Sequence, residues 1–285
     1  MDISLQKQKA EELRALHHAP EVLVLSNVWD AVSARIVESL GAKAIATSSA
    51  AIAFAYGYPD GEHISRREML EAVARIAHTV SLPVTADLEA GYSDSAHQIE
   101  QLVHEVIASG AVGLNLEDGA GNPPRLRPLE LQLEKIKTLR QVSDRAGVPF
   151  VINARTDVYL LKIGQPATQF AEAVCRGRAF REAGADCVFV PLVEERDTIA
   201  ALVKEIGGPI NILAGARTPS VAELQKLGVA RVSVGSGACR AALAALRDVA
   251  QELLTKGTYD SMMRNILPSA DVNQLLAGKK QPVSG

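Results

Sequence analysis

Residues 83–118 read PVTADLEAGYSDSAHQIEQLVHEVIASGAVGLNLED. A proline opens a short apolar run, Val84-Thr85-Ala86, which ends in Asp87-Leu88-Glu89. A helix-length stretch over 95–109 follows, and then Gly110 precedes a second run, Gly113-Leu114-Asn115-Leu116, ending in Glu117-Asp118. Proline stops a helix and is tolerated where a strand begins, while glycine supplies the left-handed residue that closes a helix. The stretch therefore reads as strand, helix, strand, with each strand ending on acids. Side chains alternate along a strand, so Asp87 and Glu89 point the same way. Same-facing carboxylates at the end of a buried strand cost free energy unless something neutralises them, and a divalent cation with oxygen ligands is the simplest neutraliser.

The same punctuation recurs outward in both directions. Gly41, Gly184 and Gly228 precede the runs Ala44-Ile45-Ala46, Val188-Phe189-Val190 and Val232-Ser233-Val234. Pro20, Pro149 and Pro209 precede Val22-Leu23-Val24-Leu25, Phe150-Val151-Ile152 and Ile210-Asn211-Ile212. Interleaved, the runs predict eight strands, with helices over 31–40, 66–80, 95–109, 130–146, 167–183 and 221–227. Strands alternating with helices make a parallel sheet, and eight such units close into a (β/α)8 barrel of the TIM type. An open doubly wound sheet ranks below it, because no Gly-x-Gly-x-x-Gly follows the first strand. One barrel domain over 1–253 is expected, with 254–285 as a C-terminal extension.

Composition narrows the class of function. The 285 residues are 47% hydrophobic but only 4% aromatic, so the core is aliphatic. The formal net charge is −3 and no basic patch carries interleaved aromatics, which argues against nucleic acid as a partner. Cys175, Cys187 and Cys239 lie far apart, without the spacing of a disulfide framework, as in a reducing compartment. No run reaches the roughly 18 apolar residues of a membrane span, and the N-terminal stretch lacks the apolar core of a signal peptide. A cytoplasmic protein with no membrane partner is the expectation.

In barrels, chemistry sits at the C-terminal ends of strands. Polar groups gather on the second to fifth of these: Thr47-Ser48-Ser49, Asp87-Leu88-Glu89, Glu117-Asp118 and Asn153-Ala154-Arg155-Thr156-Asp157. The far side ends in Val190-Pro191-Leu192, Ala214-Gly215 and Gly235-Ser236-Gly237, so a small or apolar wall is expected there. Asp87 leads as metal ligand, with Glu89 and Glu117 next. Magnesium keeps several waters, so one carboxylate is expected to bind directly and others through water. Asp30 and Asp118 suit helix capping as well as ligation. Arg155, opposite these acids, suits a bidentate clamp on a carboxylate or phosphoryl group, or else a structural ion pair with Asp87 or Glu117. Ser48 and Ser49, followed by Ala50 and Ala51, let backbone N–H groups approach an anion, and Gly215 and 235–237 lie where many barrels bind phosphate. None of the six histidines ends a strand.

These residues resemble the isocitrate lyase/phosphoenolpyruvate mutase superfamily, in its smaller phosphonomutase-like branch. The resemblance covers roughly residues 23–246. It is carried by Asn27-Val28-Trp29-Asp30-Ala31-x-Ser33-Ala34-Arg35, Thr47-Ser48-Ser49, Tyr58-Pro59-Asp60-Gly61, Ala86-Asp87-Leu88-Glu89-Ala90-Gly91-Tyr92, Asn115-Leu116-Glu117-Asp118 and 153–157, in that order. It implies a Mg2+-dependent barrel (with Mn2+ as an alternative) acting on a small α-oxo acid through an enolate that the metal stabilises. Metal ligation is implied for Asp87, with Asp60, Glu89 and Glu117 around it, mostly through water. Catalytic roles fall to Arg155, Ser48, Asp60 and Glu117, and substrate contacts to Ser48, Ser49, Arg155, Asn122 and Trp29. It also implies a last barrel helix swapped between subunits, in a homodimer or homotetramer.

The departures matter equally. The Lys-Lys/Arg-Cys-Gly-His loop of isocitrate lyases is replaced by Gly119-Ala120-Gly121-Asn122-Pro123-Pro124-Arg125-Leu126-Arg127, which has no cysteine. The histidine that phosphonate mutases carry on strand six is Pro191, their strand-two tryptophan is Ala46, and their lysine after the Glu-Asp pair is Gly119. The expectation is therefore a carbon–carbon lyase, decarboxylation of an oxaloacetate-like acid included. The alternatives are P–C bond chemistry of the phosphonopyruvate type and a non-catalytic keto-acid binder. Phe54, Tyr56 and Tyr92 are candidates for the pocket wall.

Overall fold

Four helices end where the glycines stand. Gly41, Gly110, Gly184 and Gly228 all take positive φ, the conformation that stops the helix and returns the chain toward the next strand. The computed structural model describes residues 2–277. In chain order the elements are α1 (Ile3–Leu16), β1 (Leu23–Leu25), β2 (Asn27–Val28), α2 (Ala31–Ser39), β3 (Ile45–Thr47), α3 (Ser49–Ala55), α4 (Arg66–Thr79), β4 (Val84–Asp87) and α5 (Ala96–Ser109). Next come β5 (Gly113–Glu117), β6 (Gly119–Ala120), β7 (Arg125–Leu126), α6 (Leu129–Arg145), β8 (Val151–Arg155), α7 (Pro166–Glu182), β9 (Cys187–Phe189) and α8 (Arg196–Ile206). The chain closes with β10 (Ile210–Leu213), α9 (Val221–Lys226), β11 (Arg231–Ser233), α10 (Gly237–Lys256), α11 (Asp260–Arg264) and α12 (Ser269–Ala277).

The strands form a parallel barrel wrapped by helices, as the alternation predicts. Nine strands pair in the order β1-β11-β10-β9-β8-β5-β4-β3-β2. The expected first strand is broken at Ser26, so that β1 pairs with the last strand, Leu23 opposite Arg231, and β2 pairs with the second, Asn27 opposite Ala46. Each helix lays an apolar stripe on the sheet. α4, for example, buries Met69, Leu70, Val73 and Ile76 behind a Ser65–Glu68 capping box. Burial of that kind contributes about 1.5–3 kcal/mol per large aliphatic side chain. Among the described residues no helix is long and apolar enough to cross a membrane.

Within the barrel α1, α3 and α8 lie outside the predicted ranges, as do α11 and α12 in the C-terminal extension. α1 has no clean apolar stripe because it packs against backbone ends. Gln6 Nε2 donates to the Ile107 carbonyl at 2.8 Å, Lys9 Nζ to Leu82 at 3.3 Å, and Arg14 Nη2 to Phe150 at 3.0 Å. These carbonyls precede β4, β5 and β8, so α1 covers the N-terminal mouth of the barrel. Gly113 makes the approach possible, since a Cβ there would stand 2.8 Å from the Val151 carbonyl and 3.0 Å from Leu13. Of the C-terminal extension, residues up to 277 form the end of α10, then α11 and α12, while 278–285 lie outside the described residues.

Candidate active site

The C-terminal ends of the strands open into a cavity of about 720 Å3. Asp87, the last residue of β4, lies at its floor and is 9% exposed. Three donors converge on it: Ser49 N–H at 3.0 Å and Ser49 Oγ at 2.8 Å on one oxygen, and Asn115 Nδ2 at 3.0 Å on the other. A buried carboxylate needs such compensation, and it aims the remaining lone pairs at the cavity. Asn115 is itself oriented, because Asn153 Nδ2 and Arg231 Nη2 both donate to its Oδ1, at 2.8 and 3.4 Å. The amide nitrogen must then face Asp87.

Around Asp87 stand Glu89, Asp60 and Glu117, all lining the same cavity. Glu89 is buried in a left-handed conformation, φ 51°, and only its Oε2 is bonded, by Glu62 N–H at 2.6 Å. Its Oε1 is buried without a partner. Burial, then the charges of Asp87 and Asp60, push the Glu89 carboxyl up to about 8. Withdrawal from water and then Asp87 also raise Asp60. Burial raises Glu117 well above the carboxylate range, against the pull of Arg155. The arrangement thus gathers acids that resist losing their protons together.

Arg155, at the end of β8, faces them. Its Nη1 meets Glu117 at 2.7 Å and its Nε meets Asp157 at 2.6 Å, while the guanidinium lies 5.7 Å over the Phe189 ring. Burial alone would lower its pKa, but Glu117, Asp157 and Asp87 outweigh that and raise it, so the cation is permanent. The ion pair and the clamp are therefore not exclusive: Nη2 makes no hydrogen bond to the protein among the described residues.

Ser48, Ser49 and Asn122 also line the cavity, with Asn122 in the β6–β7 hairpin that lies beside it. Ser48 Oγ accepts from Ala51 N–H at 3.3 Å, which leaves its own O–H to donate. Ser49 spends its N–H and Oγ on Asp87. Trp29 does not line the cavity: Ser33 Oγ captures its N–H in the cap of α2, and its side chain packs against the core instead. Asp30 is that cap, accepting from Ser33 N–H at 2.7 Å. Asp118 belongs to the scaffold. Fully buried, it holds Asp157 N–H at 2.8 Å and Arg176 at 3.1 Å, and burial pushes it up to about 6.

The glycine patches are not free for phosphate. Gly215 N–H donates to Thr218 Oγ1 and Gly235 N–H to Asn27 Oδ1, each at 2.9 Å. Phe54, Tyr56 and Tyr92 are absent from the wall, which is made of Leu160, Leu161, Phe189, Pro191 and Leu213. No cysteine lines it. His63 does, carried by the loop after α3 rather than by a strand end, and no strand-end reading finds it.

The donor set fits one small hard cation. Among the described residues no group of three His, Cys, Asp or Glu is arranged to hold a metal directly. Asp87 with several waters, and Glu89 Oε1, Asp60 and Glu117 as acceptors for those waters, is the arrangement Mg2+ favours. Thiolate- or imidazole-preferring metals find no ligand of their kind in the acid cluster.

Comparison with known proteins agrees with the geometry. The family model described as phosphoenolpyruvate phosphomutase matches residues 13–254. A solved structure from Burkholderia cenocepacia J2315, assigned provisionally as a lyase/mutase, is 34% identical, superposes with TM-score 0.89, and covers 96% of this chain and 98% of its own. An oxaloacetate decarboxylase of Bradyrhizobium sp. BTAi1 is 28% identical over 93% of this chain and 91% of its own length. The structure of a phosphonopyruvate hydrolase in complex with oxalate and Mg2+ is 27% identical, with TM-score 0.82 over 94% of this chain and 95% of that one.

Proposed function

Because this chain belongs to the phosphoenolpyruvate phosphomutase family of the isocitrate lyase/phosphoenolpyruvate mutase superfamily, we propose that it is a Mg2+-dependent carbon–carbon lyase of a small α-oxo acid or related di- or tricarboxylate. The observation that carries this is the pairing, in one cavity, of the Asp87–Glu89–Glu117 acids with the Arg155 guanidinium. Bound Mg2+ supplies a Lewis acid where negative charge develops on the substrate oxygen. Asp87 would hold the cation, with Asp60, Glu89 and Glu117 around it as acceptors for its waters. Arg155 and the Ser48 hydroxyl would bind and orient the substrate carboxylate. The apolar wall of Leu160, Leu161, Pro191 and Leu213 excludes water from the other side. With no thiol at the cavity, decarboxylation of an oxaloacetate-like acid makes the least demand, since solvent can protonate the product. Mn2+ is the expected substitute metal. Three unpaired cysteines suit a cytoplasmic setting, and the protein is proposed to work as a homodimer or homotetramer joined through its last helix.

The test is a panel of oxaloacetate, alkyl-substituted malates, methylisocitrate and phosphonopyruvate with Mg2+. Turnover of at least one carbon–carbon substrate is expected, abolished by chelator and reduced at least about a hundredfold in Asp87→Ala. Turnover of phosphonopyruvate alone would instead establish P–C cleavage. Tight oxalate binding without any turnover would make the protein a binder.

A further inference from the structure

Glu62 stands two residues beyond Asp60 and is tied twice to the turn that follows β4. Its N–H donates to Glu89 Oε2 at 2.6 Å, and its own Oε1 accepts from Tyr92 N–H at 2.7 Å. The bonds run in opposite directions between the same two segments, so neither segment can shift without breaking one of them. Five non-glycine residues take positive φ among the described residues, and three of these are the partners in the clasp: Glu62 at 58°, Glu89 at 51° and Tyr92 at 58°. Such conformations are costly and persist only where the surroundings impose them. Here the two loops impose them on one another.

We propose that Glu62 is a positioning residue for the metal site. By locking the loop that carries Asp60 to the turn that carries Glu89, it presents Asp60 and the unpartnered Glu89 Oε1 to the same cation. This rests on the Mg2+ reading above. Without the Glu62 carboxylate the Tyr92 N–H has no acceptor, and Asp60 is released from its register with Glu89. Glutamine preserves the clasp, because its amide oxygen still accepts from Tyr92 and the backbone bond to Glu89 is untouched. The same change removes the charge, so the two variants separate clasp from electrostatics.

The experiment is calorimetric titration of Mg2+, and of Mn2+, into metal-free protein, alongside hydrogen exchange of the Tyr92 amide. Glu62→Ala is expected to bind the metal about tenfold more weakly, the usual consequence of losing an outer partner of a metal site. Tyr92 exchange should quicken while the thermal midpoint holds. Glu62→Gln is expected to bind as the parent does. Parental affinity in Glu62→Ala overturns the proposal, and so does a Glu62→Gln variant as weak as Glu62→Ala, which would make charge the cause. Asp87→Ala is the separate control: if it binds Mg2+ normally the metal site itself is wrongly placed, and Tyr92 exchange in Glu62→Ala still reports whether the clasp exists.

Discussion

At Gly119 the backbone passes so close to Asp157 that an added Cβ would collide with its Oδ2, while the other Asp157 oxygen holds Arg155 Nε. A side chain at this position, such as the lysine of phosphonate mutases, requires Asp157 to stand elsewhere. Gly119→Ala is therefore expected to turn Arg155 out of line. Oxalate binding, read by calorimetry, should weaken about tenfold, or about 1.4 kcal/mol, with KM raised more than kcat is lowered. At this scale the sequence was partly legible. Asp87, Glu117 and Arg155 could be read because each is the last residue of its strand. Trp29, expected as a substrate contact, does not line the cavity, and its N–H is taken by Ser33 Oγ four residues on. Asn115, which aims Asp87, acts through a hydrogen bond between strands, and such a partner is fixed by register rather than by any local pattern, whereas Asp157 pairs with Arg155 only two residues away.

Among the elements, α1 carries a titratable group that the rest of the barrel does not share. His17, its C-terminal cap residue, is buried, with Nδ1 2.8 Å from the Leu13 carbonyl. A carbonyl only accepts, so Nδ1 carries the hydrogen and Nε2, which has no partner, is bare. Burial, then the nearby Arg231, lower its pKa from 6.5 to about 4. The unfolded chain then binds the proton that the folded one refuses between those values. Stability should be complete above pH 6.5 and fall as pH drops toward 4, by up to about 3 kcal/mol from this group. Urea denaturation at pH 7 and pH 4.5 checks this, since His17→Gln, whatever its outright cost, should lose that part of the slope. α1 escaped sequence reading for the same reason that it matters. Its inward face mixes Gln6, Lys9 and Arg14, which bond to carbonyls, with only Ala10 and Leu13 as buried apolar groups, a weak apolar periodicity.

On the scale of the whole molecule, the C-terminal helices stand apart from the barrel's economy of burial. Leu246, Leu253, Leu254, Met263, Ile266 and Leu267 are each more than half exposed. An apolar surface of that extent suits the homodimer or homotetramer proposed above. Light scattering is expected to give a dimer or tetramer, and the double variant Leu246→Glu, Leu254→Glu to shift it toward monomer. Unchanged mass in that variant would place the interface elsewhere. The barrel was legible at this scale because eight repeats of one punctuation leave few topologies open, whereas the break at Ser26 was not, since it depends on how the ring meets itself. That meeting has a bearing on biosynthesis. Leu23–Leu25 finds its neighbour only at Arg231–Ser233, so the ribosome must release nearly the whole chain before the first strand acquires the partner that seals the ring. Until then every growing intermediate carries an open parallel edge, the kind of surface that chaperones exist to shield.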